Sequence, residues 1–218
     1  ASDQAAAQAV MDAINQLPVA EKLTLENKEA VAAARDAYGK LTEAQKALIG
    51  QETLDKLEVA EAKIAELEAD QAAEEEANSF KAAHADVLVK IVNTIAISDK
   101  GSVNAALTAY EELSDLAKER LIEEKALLDS LLTKIVELEK LEEAKAMATA
   151  KVKEEYTIAS WDTLTKALAL PEVTSEEVVN KTTAINVAIT SLVKKSDTND
   201  IWNGDSEAFS LLDPNNSD

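Results

Sequence analysis

Residues 37–49, "AYGKLTEAQKALI", and residues 109–122, "AYEELSDLAKERLI", carry the same phrase 72 positions apart. The match extends on both sides. "KEAVAAARDAY" (28–38) aligns with "KGSVNAALTAY" (100–110), so Val31 pairs with Val103 and Tyr38 with Tyr110. "KIAELE" (63–68) aligns with "KIVELE" (134–139) after one deletion, and upstream "VMDAI" (10–14) aligns with "VLVKI" (87–91). Self-similarity at a fixed period is the signature of an array of like units. Two copies of a unit of about 70 residues therefore occupy roughly the first two thirds of the chain.

Each copy reads as three helices. Val10, Ile14 and Leu17 mark an apolar face that stops at Pro18. A second helix is expected from about Asn27 to Leu41. In "TEAQ" (42–45), Thr42 is followed three residues later by Gln45, a capping-box spacing that starts a short helix ending near Gly50. A long helix follows from about Glu52. In the second copy Leu121, Leu128 and Ile135 recur every seven residues, with Leu131 and Leu138 between them, the seam of a bundle or coiled coil. One helix cannot bury such a face alone, so three must pack together.

Residues 52–97 contain neither Pro nor Gly, and the joint "ELEADQAAEEEA" (66–77) is built from strong helix formers. The same holds from about Asp115 to Tyr156. Both stretches are expected to be long helices, each closing one bundle and opening the next. Ala77, beside the run Glu74–Glu76, then falls outside both bundle cores. The expected fold is all-α: tandem three-helix bundles in an elongated array, joined by shared helices as in spectrin-like rods. The expected boundaries are 1–75 for the first bundle, 76–142 for the second, 143–195 for a third, and 196–218 for a flexible acidic tail or linker.

The third unit differs in sequence. "AKVKEEYTIASWDTLTKALAL" predicts a helix, a break near Thr157 and a second helix ending before Pro171. "TSEE" (174–177) is a capping box opening a third helix whose apolar face holds Val178, Ile185, Ile189 and Leu192. The tail carries six acidic residues and no basic one.

Here a resemblance can be given. Residues 156–192, with Tyr156-Thr157, Ser160-Trp161, Leu164, Ala167-Leu168, Ala184 and Leu192, resemble the FIVAR module, a small three-helix repeat of secreted Gram-positive surface proteins. The first two units, with "ARDAYGKLTEAQKALI" and "LDKLEVAEAKI", resemble the helical repeats that separate domains in such proteins. The second departs most, since "LSDLAKERLI" lacks the usual Thr-x-x-Gln start and the glycine. The resemblance implies an extracellular, wall-associated or secreted setting and no catalysis.

Composition narrows the chemistry. A formal net charge of −20 argues against nucleic-acid binding, which needs clustered Lys and Arg, and disfavours anionic membrane surfaces. No apolar run approaches the roughly 18 residues of a membrane span, so no membrane insertion is expected. The start "ASDQ" shows no leader and suits a mature or trimmed chain. Cysteine is absent, so thiolate chemistry and disulfides are excluded. The single histidine, His84, rules out a multi-histidine zinc site and is placed on the flank of the first helix of the second unit. Gly39, Gly50, Gly101 and Gly204 are too far apart for a phosphate loop, and no GxSxG is present.

Carboxylate pairs are abundant among 42 acidic residues, but nothing marks a cleft that would raise one pKa. Glu74–Glu76 reads as a solvated face. "DTNDIWNGDSE" (197–207) resembles a calcium loop in composition without its spacing. Tyr38, Tyr110 and Trp161 read as packing at bundle corners with the polar edge outward. Trp202, in the tail, could dock on a bundle or a neighbouring domain. No catalytic, cofactor-binding or metal-binding residue is assigned and no cofactor is expected. The expectation is a non-catalytic, monomeric stalk or spacer flanked by further domains of a larger chain. The alternative is an adhesin-like module that binds a host protein or glycan through a helical face.

Overall fold

Stretches rich in Ala, Leu, Glu and Lys, with few breakers, become helix wherever an apolar stripe can be covered. The computed structural model describes residues 2–196, and among them the fold is all-α, with ten α-helices and no named strand. These are α1 (Ser2–Gln16), α2 (Lys28–Gly39), α3 (Glu43–Lys46), α4 (Gln51–Ala83) and α5 (Ala85–Leu88), followed by α6 (Lys100–Glu111), α7 (Asp115–Glu119), α8 (Ile122–Thr149), α9 (Ile158–Leu168) and α10 (Ser175–Thr190). The chain divides into two compact units. One is the chain up to Ala83 with Glu112–Ile122, and the other is His84–Glu111 with the described chain from Glu123 onward.

In the first unit, α1 contributes Ala7, Val10 and Ile14 to one core, Leu17 just after it joins them, α2 adds Val31 and Ala34, and α4 adds Leu57, Ala60 and Ile64. The spacing of three and four in each helix is what places these residues on one face. Burying each large one stabilises by about 1.5–3 kcal/mol before chain entropy is counted. Arg35 on α2 grips both carboxylate oxygens of Glu61 on α4, with Nε donating at 2.5 Å. The Tyr38 ring lies between Arg35 and Lys46, 5.6 and 5.7 Å from its centroid. That is the corner position expected for this tyrosine, partly buried against the core.

The second half of α4 carries α7. The Glu76 carboxylate accepts from the Ser114 N–H (3.0 Å), and Arg120 donates to Asp70 (2.6 Å). Asp70 and Glu76 flank a helical stripe made of Ala73, Ala77 and Phe80, all buried. Small residues there let α7, whose Ala117 is fully buried, approach closely. Ala77 is only 3% exposed, so its expected place outside any core is wrong.

In the second unit, Lys100 on α6 bonds both oxygens of Glu139 on α8 at 2.8 Å, and Lys125 on α8 lies 5.7 Å from the Tyr110 ring centroid. The seam residues Leu128, Leu131 and Ile135 are fully buried. The far half of α8 then enters a separate cluster. There Leu141, Ala144 and Ala148 join Leu164 and Ala167 of α9 and Val178, Ile185 and Ala188 of α10. Ile189 and Leu192 pack on its edge, as the apolar face predicts.

The repeat is reproduced element by element. The 3-10 turn and helix Leu25–Asn27/α2 match Ile97–Asp99/α6, α3 matches α7, and α4 matches α8. Val31 and Val103 are both buried, as are Ala34 and Ala106, and Ile64 and Ile135. The alanine stripe recurs too, as Ala73/Ala77 and Ala144/Ala148.

Four expectations are corrected. The helix expected over 52–97 ends at Ala83, and α5 is a separate turn after His84, whose backbone (φ −116°, ψ 22°) leaves the helical region. The helix expected over 115–156 is α7 and α8, parted at Arg120–Leu121, and it stops at Thr149. The match of "VMDAI" with "VLVKI" also fails. Burial pairs Ala7, Val10 and Leu17 with Ala77, Phe80 and Val87, an offset of 70. In that register His84 occupies the slot of fully buried Ile14. The interruption coincides with a polar ring at a position that is apolar in the first copy, where full burial would be unfavourable. His84 thus sits in a break, not on a helix flank.

Candidate functional site

Two concave surfaces stand out among the described residues of the second unit. The larger, of about 530 Å³, is a groove between α8 and α10. Its walls are Leu132, Val136 and Val179, with Thr133, Thr182 and Thr183 between them and Lys140 at the exposed rim. Each threonine hydroxyl donates to the carbonyl one turn back on its own helix: Thr133 to Asp129 (2.8 Å), Thr182 to Val178 (2.7 Å) and Thr183 to Val179 (2.9 Å). A carbonyl cannot donate, so these protons are committed and only oxygen lone pairs face the groove. Glu137 lies in the same groove, and its Oε2 is buried with no hydrogen-bond partner.

Beside the groove, the loop between α9 and α10 is pinned by lysines. Lys134 is 1% exposed, and its ammonium donates to the Val173 carbonyl at 2.9 Å. Burial pushes its pKa down, against the pull of Glu137, Glu177 and Glu172. Glu172 receives Lys181 at 2.7 Å and Lys145 at 2.9 Å, and these two hold its carboxyl below the ordinary value. Thr174 and Glu177 form the capping box expected for α10. Glu177 accepts from the Thr174 and Val173 N–H groups, both at 2.9 Å, which depresses its pKa.

The smaller concavity, of about 340 Å³, opens at the start of α9. Tyr156 and Trp161 stack there with centroids 6.2 Å apart and planes at 22°. Ile158, 84% exposed, lies beside them with Lys153, Asp162 and Lys195. The ring pair is held by a clamp on the chain after α10. The Thr157 N–H donates to the Val193 carbonyl (2.9 Å), and the Val193 N–H donates to the Ser160 hydroxyl (3.2 Å). Trp161 is partly buried on the α8–α10 cluster, the corner role expected of it.

The remaining singled-out residues do not converge. His84 lies in the α4–α5 break, with its carbonyl accepting from Val87 and Leu88. Glu74, Glu75 and Glu76 are exposed, yet Glu76 is more than a solvated charge. The Ser114 hydroxyl and backbone N–H hold its carboxyl below the ordinary value. It completes from α4 the cap that Ala117, standing where Gln45 stands in the first copy, cannot supply. Trp202 and the calcium-like stretch 197–207 lie outside the described residues. Among the described residues no group of three or more His, Asp or Glu side chains is placed to hold a metal ion, and no helix is long and apolar enough to cross a membrane. Sequence reasoning missed the α8–α10 groove. Its signal was the pair Thr182-Thr183 on the same helix as exposed Val179, a polar-apolar mixture that an ordinary solvent face does not need.

No family model matches the chain, and no curated protein or solved structure is significantly similar to it.

Proposed function

We propose that this chain is a non-catalytic helical spacer of a larger extracellular surface or secreted protein, its units set in tandem through the long helices α4 and α8. One observation carries the reading: what the two copies share is architecture. The retained positions are core residues (Val31/Val103, Ile64/Ile135), corner tyrosines with a cation over the ring, and the caps Thr42 and Ser114. A chain duplicated for length needs to keep those features and nothing else. The extracellular setting rests on the FIVAR-like resemblance of residues 156–192. The test is binding of the purified chain to panels of wall glycans, host glycans and matrix proteins. The spacer reading predicts no saturable binding in the micromolar range or tighter, and such binding would overturn it.

An adhesin-like module is the second reading, and the stacked Tyr156–Trp161 pair beside exposed Ile158 favours it. Aromatic anchors of this kind concentrate binding energy. It predicts that Trp161→Ala abolishes a micromolar interaction found in the same panels.

A further inference from the structure

We propose that the concavity at the start of α9 is the docking site of the chain's own C-terminal segment, with Ile201 and Trp202 seated beside the Tyr156–Trp161 pair. The inference starts from an uncovered apolar surface. Ile158 is 84% exposed next to two stacked rings, in a hollow of about 340 Å³. A hollow of that size lies at the small end for ligand pockets and suits one or two large side chains. As the first residue of α9, Ile158 gains the helix nothing that an unbranched or polar residue would not. Its apolar side chain is explained by a cover.

The path of the chain decides what that cover is. After α10 the backbone pairs with the start of α9: Tyr156 and Lys194 form an antiparallel bridge, and the Thr157 N–H donates to the Val193 carbonyl. This brings Lys195 to the rim of the hollow, and the described chain ends one residue later, at Ser196. Ile201 and Trp202 follow six and seven positions after Lys195, a reach of at most about 25 Å of extended chain. The intervening "DTND" (197–200) is made of residues that favour turns, so the chain can reverse onto the hollow. Tethering at the rim gives this pair an effective concentration on the order of millimolar, which a free partner must match. Composition points the same way. Residues 197–218 hold Trp202 and Phe209, two of only seven aromatic residues in the chain, in a stretch with six acidic residues and no basic one. A fully solvated linker has no use for an indole, which gains most when half-buried. The rim carries Lys153 and Lys195, its Asp162 is already paired with Lys166 at 2.6 Å, and Glu154 is its other acid. An acidic segment is drawn to that rim and repelled by most of a surface with a net charge of −20. The proposal is independent of the spacer reading. For the adhesin-like reading it makes the tail a built-in competitor that a ligand of the ring pair must displace.

The test is NMR of the full chain with isotope-labelled isoleucine methyl groups. Nuclear Overhauser contacts should join the Trp202 indole protons to the Ile158 methyls, and the Trp202 ring should displace the Ile158 methyl resonances. Trp202→Ala should abolish both effects, and Trp202→Phe should recover part of the displacement. The methyls of Ile185, in the core beneath, and of Ile14 and Ile64, in the other core, should stay in place in both variants, which shows that the fold is intact. Absence of the Trp202–Ile158 contact would overturn the site. So would Ile158 resonances that are the same in Trp202→Ala, or contacts of Trp202 with a different helix. In an equal mixture of labelled and unlabelled chains the contact should stay within single molecules. A contact between copies would make the occupant a second chain and overturn the assignment to the chain's own tail. Failure here leaves the spacer and adhesin-like readings untouched, since the binding panels decide those separately.

Discussion

Ile185→Ala separates a packed core from a mere helical surface. Ile185 is fully buried in the cluster that joins α8, α9 and α10. The substitution removes three carbons, a transfer term of about 2.4 kcal/mol at ~0.8 kcal/mol each. A cavity term adds to this in proportion to the volume that fails to collapse, and comparable truncations cost about 2–5 kcal/mol in total. Alanine is the better helix former, which returns a few tenths of a kcal/mol. The net expectation is about 3 kcal/mol. The unit that contains it has about 100 described residues, for which the unfolding entropy is about 0.2 kcal/mol/K, so its Tm should fall by about 14 °C. Calorimetry reads the shift, and amide hydrogen exchange locates it. Lost protection should concentrate in residues 138–192, while the α1–α2–α4 core, built from different residues, keeps its own. A shift of only a degree or two would mean that the site is not close-packed. Equal loss of protection around Ile14 and Ile64 would mean that the two clusters unfold as one.

Other perturbations test other parts of the account. Ala77→Pro removes a helix hydrogen bond and clashes with the Ala73 carbonyl, costing about 3 kcal/mol. It should also raise hydrogen exchange in 112–122, because Asp70 and Glu76, which hold that segment, lie in the two turns that lead into the break, whereas Ala77→Ser should leave it protected. Unchanged protection in the proline variant would separate α7 from the alanine stripe. Glu177→Ala should lower the Tm at neutral pH and make no difference in strong acid. Its folded carboxyl is held below the ordinary 4.5, so the stabilisation is present above that value and lost as pH falls through the lower folded one. A Tm gap that persists unchanged at pH 2 would refute the charged cap.

Much of this fold was legible where local chemistry and pattern agree. Thr42 with Gln45 and Thr174 with Glu177 are capping boxes in both sequence and structure, because the motif needs only its own four residues. The periodic faces of α1 and α10 were equally readable. What escaped depends on partners distant in sequence. Lys63 and Lys134 stand in the same phrase, yet Lys63 pairs with Glu66 at the surface while Lys134 is buried under the α9–α10 loop. Nothing near either residue distinguishes them. The break at His84 has no Gly or Pro to announce it, and it becomes visible only once burial fixes the repeat register and sets His84 against Ile14. The α8–α10 groove was hidden for the same reason, since Thr133 and Glu137 on one wall and Thr182 and Thr183 on the other lie more than forty residues apart in sequence.

Small-angle scattering of the monomeric chain in solution tests the proposed tandem spacer most directly. At 1.5 Å per helical residue, α4 and α8 alone would extend about 50 and 42 Å. Units set in tandem along them predict a maximum dimension on the order of 100 Å and a radius of gyration well above that of a sphere. A radius of gyration near 17 Å, the value for a compact chain of this length, would show the helices folded back on one another and would contradict the spacer.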